Sequence, residues 1–375
     1  MIYLFWISVF FVFYAYFGYP LLLKFLTLFK NKIVKKAPIT PSLTFIITAY
    51  NEEKRIAQKL ENTLALDYPK EKLQIIVASD GSTDKTDEIV NSYTFKGVEL
   101  IRSPERRGKE ATQKLAINYA KGEILVFSDV ATILKKDALR KIVSNFNDPS
   151  VGCVSSEDKI ILENGQISGE SYYVKYEMWL RRLESKVNSV VGLSGSYFAA
   201  RKKVCLTWRE DLQSDFNTVL NSIRYGMRGI SDPEAIGYYK AVKSEKEEFR
   251  RKVRTVLRGI YVFFSSLEFL NPFRYGLFSL QLFSHKLCRW LVPFGLILIF
   301  ISNMFLMSNN VLYQTTFSLQ IAFYLTALIG LNKKLANKTL FKIPLFFTLV
   351  NLSILIAWLR YLKGERIIRW EPSKR

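Results

Sequence analysis

The sequence predicts an α/β domain with a parallel sheet, set between segments that cross a membrane. Three observations point there. Short, nearly continuous apolar runs alternate with helical stretches through the middle of the chain. Strands of that kind are buried on both faces, which is the habit of parallel sheets. Long runs without a charged side chain stand near both ends, and a mean hydropathy of +0.07 at 23% charged residues averages a polar part with a greasy one.

Residues 1–23 carry no charged side chain. That length crosses ~30 Å of hydrocarbon with some tilt. The segment lacks the basic start and small-residue cleavage site of a signal peptide. Lys24, Lys30, Lys32, Lys35 and Lys36 follow it. It reads as a retained anchor whose C-terminal end faces the cytoplasm, because positive residues collect on that side.

The soluble domain is expected over 40–242. Strands are predicted at 43–48 (LTFIIT), 73–78 (LQIIVA), 98–101 (VELI), 123–127 (EILVF) and 151–155 (VGCVS). Helices fit between them at 52–65, 85–92, 109–120 and 136–146. Ligands of such sheets bind at the carboxyl ends of the strands. Asn51, Glu52, Asp80, Asp84 and Asp129 all collect there.

Over 243–289, Arg250, Arg251, Lys252, Arg254 and Arg258 interleave with Phe249, Val253, Leu257, Ile260 and Phe263. A basic amphipathic helix beside a membrane span reads as interfacial. A second is expected near 275–287. The uncharged run 290–332 is broken by Ser308-Asn309-Asn310 and predicts two helices joined by a turn, followed by Lys333, Lys334, Lys338 and Lys342. A last apolar run, 343–359, is at the short limit for a span. It either lies re-entrant or interfacial, or crosses and leaves the basic tail outside. These runs give membrane helices over 290–360 and a basic tail at 361–375.

Composition excludes several classes. The 375 residues hold 54 Lys+Arg against 33 Asp+Glu, a net charge of +21. Loops beside an anionic leaflet explain that charge. No basic recognition helix, zinc pattern or aromatic platform supports nucleic-acid binding. Three Cys are too few for a disulfide framework. The one His, His285, rules out a multi-His metal site and reads as an interface residue. Acidic residues at successive strand ends, with no catalytic His or Cys, suggest metal-assisted chemistry on phosphates.

At this point the residues resemble glycosyltransferase family 2. Thr48-Ala49-Tyr50-Asn51-Glu52-Glu53 and Ser79-Asp80-Gly81-Ser82-Thr83-Asp84 carry the likeness. It extends through Arg107-Gly108-Lys109, Phe127-Ser128-Asp129, the segment 192–201 and Ser214-Asp215-Phe216. It continues to Arg224, Gly226, Pro233-Glu234-Ala235, Asn271-Pro272 and Ser284-His285-Lys286. The membrane layout looks like that of bacterial synthases of poly-N-acetylglucosamine and related exopolysaccharides.

The resemblance implies a GT-A nucleotide-sugar fold, inversion at the anomeric carbon, and Mg²⁺ or Mn²⁺ as cofactor. It implies that Tyr50, Asn51 and Glu52 contact the nucleotide and that Asp80 holds the base, with Ser82 shaping the turn. Lys109 would pair with the diphosphate and Asp129 with the metal-diphosphate. Arg251 and Arg254 match the place of the family's Gln-x-x-Arg-Trp, where Thr255 replaces the Trp. Ser194, Gly195 and Ser196 look like a tight turn near donor sugar or acceptor. Asp215 is the expected base, with Glu210-Asp211 a rival pair. The family's Asp-x-Asp reads Asp129-Val130-Ala131 here, so the second ligand oxygen is missing.

The expected activity is transfer from a nucleotide sugar, UDP-linked, to a growing cell-surface polysaccharide or lipid-linked glycan. The expected partners are that donor, the glycan acceptor, the bilayer, and a second copy or an export partner. The expected location is the inner membrane, with the catalytic domain in the cytoplasm. A non-catalytic subunit scaffolding an export complex is the alternative, supported by Ala131. A pure transporter would need more spans and more polar groups within them.

Overall fold

The computed structural model describes residues 1–161, 172–240, 245–332, 335 and 338–367. Lys333, Lys334, the expected 242/243 boundary and the basic tail from 368 onward lie outside the described residues. The chain divides into two compact units. One takes in Met1–Leu22, Ser244–Tyr261 and Leu282–Arg366, and the other Leu23–Lys243 with Val262–Gln281.

The second unit holds an eight-stranded sheet in the order β3-β2-β1-β4-β7-β6-β8-β5. The strands are β1 (Leu43–Ala49), β2 (Leu73–Ser79), β3 (Val98–Arg102), β4 (Ile124–Asp129), β5 (Ile133–Leu134), β6 (Val151–Ile161), β7 (Tyr197–Arg201) and β8 (Arg228–Lys240). Every residue of β1 is buried. Its inner position, paired parallel to β2 on one side and β4 on the other, accounts for its uninterrupted apolar sequence. The helices Ile56–Leu64, Thr86–Asn91, Lys109–Tyr119 and Ala138–Ser144 lie between the strands in sequence. One core collects Phe45, Ile47, Ile56, Leu60, Val126, Leu139 and Tyr197.

The expected parallel sheet is half right. β3, β2, β1 and β4 are parallel, but β7 runs antiparallel to β4 and to β6, and β5 antiparallel to β8. The reason lies at the carboxyl end of β4. The chain returns there, where the Asp129 amide donates to Ser196 O at 3.0 Å. A strand that begins beside its neighbour's end must run back down it. β8 is the element least visible in sequence, because Asp232-Pro233-Glu234 interrupts it. Those residues sit where its register with β6 shifts, between Ser155/Ser231 and Glu157/Ile236, and a bulge is where a strand tolerates proline.

Among the described residues, three helices are long and apolar enough to cross a membrane: Ile2–Leu26, Leu277–Leu306 and Thr339–Leu362. The run 290–332 does break in two, at a turn before Val311–Ile329, whose first turn is capped by Asn310 Oδ1 accepting from Tyr313 N at 3.3 Å. Gln314, Thr315, Thr316 and Gln320 keep that second helix less apolar. The last helix is 24 residues, longer than the expected 343–359, because it runs through Lys342 and Arg360.

Only the first of the two separate interfacial helices expected over 243–289 stands alone, as Glu245–Phe264. The second is the front of Leu277–Leu306. Lys286 and Arg289 do not end that helix; it passes them through a π turn at Phe283–Cys288, with His285 and Arg289 buried.

Candidate active site

The site is built at the carboxyl ends of β1, β2 and β4, which the register aligns: Ala49 opposite Ser79, Thr48 opposite Asp129. The loops after β1 and β2 are joined by side chains. Asn51 has a positive φ of 51°, a conformation Asn tolerates because its short amide bonds locally. Its backbone N–H donates to Ser82 Oγ at 3.2 Å, and its side-chain Oδ1 accepts from Thr83 N at 2.8 Å. Glu52 N donates to Thr86 Oγ1 at 2.7 Å and Glu53 N to Asp84 Oδ2 at 3.1 Å. The Glu52 carboxylate is buried and holds Arg55 through two bonds of 2.7 and 2.8 Å. Burial raises its pKa from the ordinary value, against the pull of Arg55. Beside Asn51, the Arg106 guanidinium lies 4.0 Å from the centre of the Tyr50 ring.

Asp80 lies beneath the 105–108 loop. Its exposure is 0%. Oδ1 accepts from Arg107 N (2.8 Å), Gly108 N (3.0 Å) and Thr112 Oγ1 (2.9 Å), and Oδ2 accepts from Gly108 N (3.0 Å). A carboxylate so bonded ties the end of β2 to the start of helix Lys109–Tyr119. The following Gly81 has φ +64°, and a Cβ there would stand 2.9 Å from the Glu105 carbonyl carbon. The Asp-Gly pair is therefore demanded by the close approach of the 105–108 loop.

That loop delivers Lys109. Its Nζ donates to Asp129 Oδ1 at 2.5 Å and to Gly195 O at 3.1 Å, with side-chain exposures of 8% for Lys109 and 21% for Asp129. The turn Ser194-Gly195-Ser196 is the meeting point. Ser194 Oγ donates to Asp158 Oδ2 at 2.6 Å and Ser196 Oγ to Asp158 Oδ1 at 2.5 Å. Leu193 N donates to the backbone oxygen of Asp215 at 3.2 Å. Asp215 sits in the first turn of helix Ser214–Arg224, with Oδ1 accepting from Phe216 N at 2.8 Å and Oδ2 from Gln213 Nε2 at 3.1 Å. An added Cβ on Gly195 would lie 3.1 Å from Asp215 Oδ2.

So one turn touches Lys109, Asp129, Asp158 and Asp215. The rival pair is elsewhere engaged: Asp211 with Arg209 at 2.6 Å, and Glu210 with Arg107 at 2.7 Å, both on exposed side chains. Arg251 and Arg254 belong to the other unit, on helix Glu245–Phe264, where Arg251 bonds Glu248 at 2.7 and 2.8 Å.

Two members of the site were missed in the sequence. Asp158 stands late on β6, as the second residue of an acidic pair, Glu157-Asp158, that carried no motif. Lys59 stands on the buried stripe Ile56, Lys59, Leu60, Thr63 of helix Ile56–Leu64. A lysine on an apolar stripe was a legible signal. Its Nζ donates to Ser128 Oγ at 2.7 Å and Thr132 O at 2.6 Å, and lies 5.3 Å from the Phe45 ring centre. Burial pushes its pKa down to about 7, although Asp129 pulls it up.

No group of three or more His, Cys, Asp or Glu stands together to hold a metal among the described residues. Asp129 is the one acid of the Asp129-Val130-Ala131 segment. Its Oδ2 accepts no hydrogen bond among the described residues, since Lys109 is bound through Oδ1. Magnesium-type ions are commonly held by one or two carboxylates plus substrate phosphates rather than by a protein cage. These residues therefore fit a cation shared with a diphosphate and not a free-standing metal site.

Residues 44–207 match the family model of glycosyl transferase family 2. Asp215 lies just beyond the matched segment. Poly-beta-1,6-N-acetyl-D-glucosamine synthase of Staphylococcus aureus (strain COL) is 28% identical over 183 residues, 45% of this chain and 42% of that protein. Dolichyl-phosphate beta-glucosyltransferase ALG5C of Trichomonas vaginalis is 30% identical over 151 residues, 37% of this chain and 44% of that protein. The chain thus spans less than half the length of either curated relative. Among solved structures, the mannosyltransferase PcManGT from Pyrobaculum calidifontis, in complex with GDP-Man and Mn2+, superposes with a TM-score of 0.76 at 21% identity. The match covers 97% of this chain and 100% of that one. The sheet-bearing unit has the GT-A-like α/β fold, with a mixed sheet.

The Gly195 contact gives a first prediction. Gly195→Ala is expected to lower turnover by about tenfold or more at unchanged donor affinity, because Asp215 must move by a few tenths of an ångström and a misplaced group near the reaction is costly. Steady-state kinetics beside donor titration checks it. Unchanged turnover would remove Asp215 from the reaction.

Proposed function

We propose that this chain is a membrane-embedded inverting glycosyltransferase. It takes a sugar from a nucleotide donor, UDP-linked in the favoured reading, and adds it to a growing polysaccharide or a lipid-linked glycan. The supporting observation is the single turn, Ser194-Gly195-Ser196, at which Lys109, Asp129, Asp158 and Asp215 converge. The acceptors follow from the two curated relatives, whose names speak of a polysaccharide synthase and a dolichyl-phosphate glucosyltransferase.

The chemistry needs a base on one face of the sugar and charge stabilisation on the other. Asp215 takes the proton of the acceptor hydroxyl. That oxygen forms the new bond to the anomeric carbon as the bond to the diphosphate breaks on the opposite face. Lys109 meets the negative charge that the departing nucleoside diphosphate gains. A divalent cation, held by Asp129, would supply further stabilisation of that charge. Tyr50, with Arg106 against its ring, and Asn51 face the nucleotide at the joined β1 and β2 loops. Asp80 acts by holding the Arg107-Gly108 loop that presents Lys109. Arg254 pairs with the diphosphate, and Arg251 accompanies it. Thr255 in place of a Trp favours few additions over many.

The reading places the protein in the inner membrane with its catalytic domain in the cytoplasm. Release of nucleoside diphosphate by the detergent-purified protein tests it. A panel of UDP-, GDP- and TDP-sugars is offered with Mg²⁺, Mn²⁺ or EDTA. Turnover of one donor is expected, with EDTA lowering it by about 10²-fold or more. A second reading, a non-catalytic scaffold for an export complex, is favoured by Ala131 alone. Absence of turnover with every donor, even with membrane extract as acceptor, would select it.

A further inference from the structure

The geometry points to Lys59 as a positioning residue for the donor diphosphate, acting through the segment that carries Asp129. The inference rests on the nucleotide-sugar reading above.

Lys59 is wholly buried, at 0% exposure. An ammonium has three donors. Here two reach oxygen, and both oxygens flank Asp129: Ser128 Oγ on one side and Thr132 O on the other. Ser128 is the next-to-last residue of β4, and Asp129, which ends the strand, accepts from Thr132 N at its backbone oxygen (3.1 Å). Lys59 thus clamps both ends of a one-turn segment whose side chain faces the site. Lys109 holds the same carboxylate from the other side.

No carboxylate bonds Lys59 directly among the described residues. The acid that acts on it is Asp129, through space. Burying a charge without a bonded counter-ion is costly, and an apolar residue of similar volume is often as good or better for stability. Folding alone therefore gives no reason for lysine on this stripe. A function that needs positive charge behind Asp129 does. With Lys109 in front and Lys59 behind, the segment is electropositive where a diphosphate would lie, and the low dielectric behind the sheet leaves that field little screened. Ala131 makes the requirement stronger, since the segment has one acid with which to hold a cation.

The test uses the full chain in detergent. Lys59→Met removes the ammonium and keeps the length. Binding of UDP, GDP and TDP is measured by calorimetry, and binding of the matching nucleoside by competition, with thermal unfolding recorded for both proteins. Lys59→Met is expected to fold with an unchanged or higher Tm. It is expected to bind the preferred nucleoside diphosphate about tenfold or more weakly, with the nucleoside within about twofold of wild type. Ser128→Ala, which loosens one end of the clamp and keeps the charge, is expected to fall between. Diphosphate affinity unchanged or tighter in Lys59→Met overturns the proposal. So does equal weakening of nucleoside and diphosphate with a lowered Tm, which marks a purely structural lysine. A wild-type chain that binds none of the three diphosphates overturns the donor reading itself, and this proposal with it.

Discussion

Asp215→Asn is expected to reduce turnover by about 10³-fold while leaving the donor Kd within about threefold. Removing a positioned general base costs roughly 10²–10⁴ in rate. The amide keeps the size of the carboxylate and can still accept from Phe216 N and meet Gln213, so the first turn of helix Ser214–Arg224 stays formed. The loss then belongs to the proton transfer and not to the donor site. Single-turnover kinetics beside calorimetric titration of the donor separates the two. The comparison variant is Asp211→Asn. Asp211 is paired with Arg209 on the surface, so its loss is expected to change turnover by less than about threefold. The opposite ranking would move the base to Asp211.

Asp129→Ala is expected to lower turnover by at least about 10³-fold, with a binding signature unlike that of Asp215. In Mg²⁺ the nucleoside diphosphate should bind about tenfold more weakly, because the one acid that holds the cation is gone. In EDTA the same variant should bind it no more weakly than wild type. Lys109, released from its ion pair, then presents its charge to the phosphates. Leaving a lysine of 8% exposure without this partner also costs stability, about 1–3 kcal/mol by analogy with other buried donors. Nucleotide titrations with and without EDTA, together with a melting curve, check all three. Equal weakening in both buffers would mean that Asp129 shapes the site and does not hold a metal.

Much of the domain was legible because its signals are local. β1 and β2 read as strands from their own apolar runs, and the Asp80-Gly81 pair read as a turn from the backbone freedom of glycine. Asp129 read as functional because it ends a strand. What was not legible shares a cause. The motif at Asp80 is local, but the partners of its oxygens, Arg107, Gly108 and Thr112, come from a later loop. β8 hid behind Pro233, whose bulge makes sense only beside β6. The last long apolar helix was cut short because Lys342 and Arg360 looked like ends, and the helix continues through them.

The sequence by itself determined the greasy and polar parts, the alternation of strand and helix, and which acids stand at strand ends. Each of these follows from periodicity, turn chemistry or charge within a few residues. The tertiary structure alone decided that β7 runs against β4, that Asp158 and Asp215 meet at one turn with Lys109, and that Lys59 lies beneath Asp129. Those facts join residues 36, 86 and 69 positions apart, as in Asp158–Ser194, Lys109–Gly195 and Lys59–Ser128. A local pattern says which face a side chain occupies. Only the packing of the elements decides which other side chain it finds there.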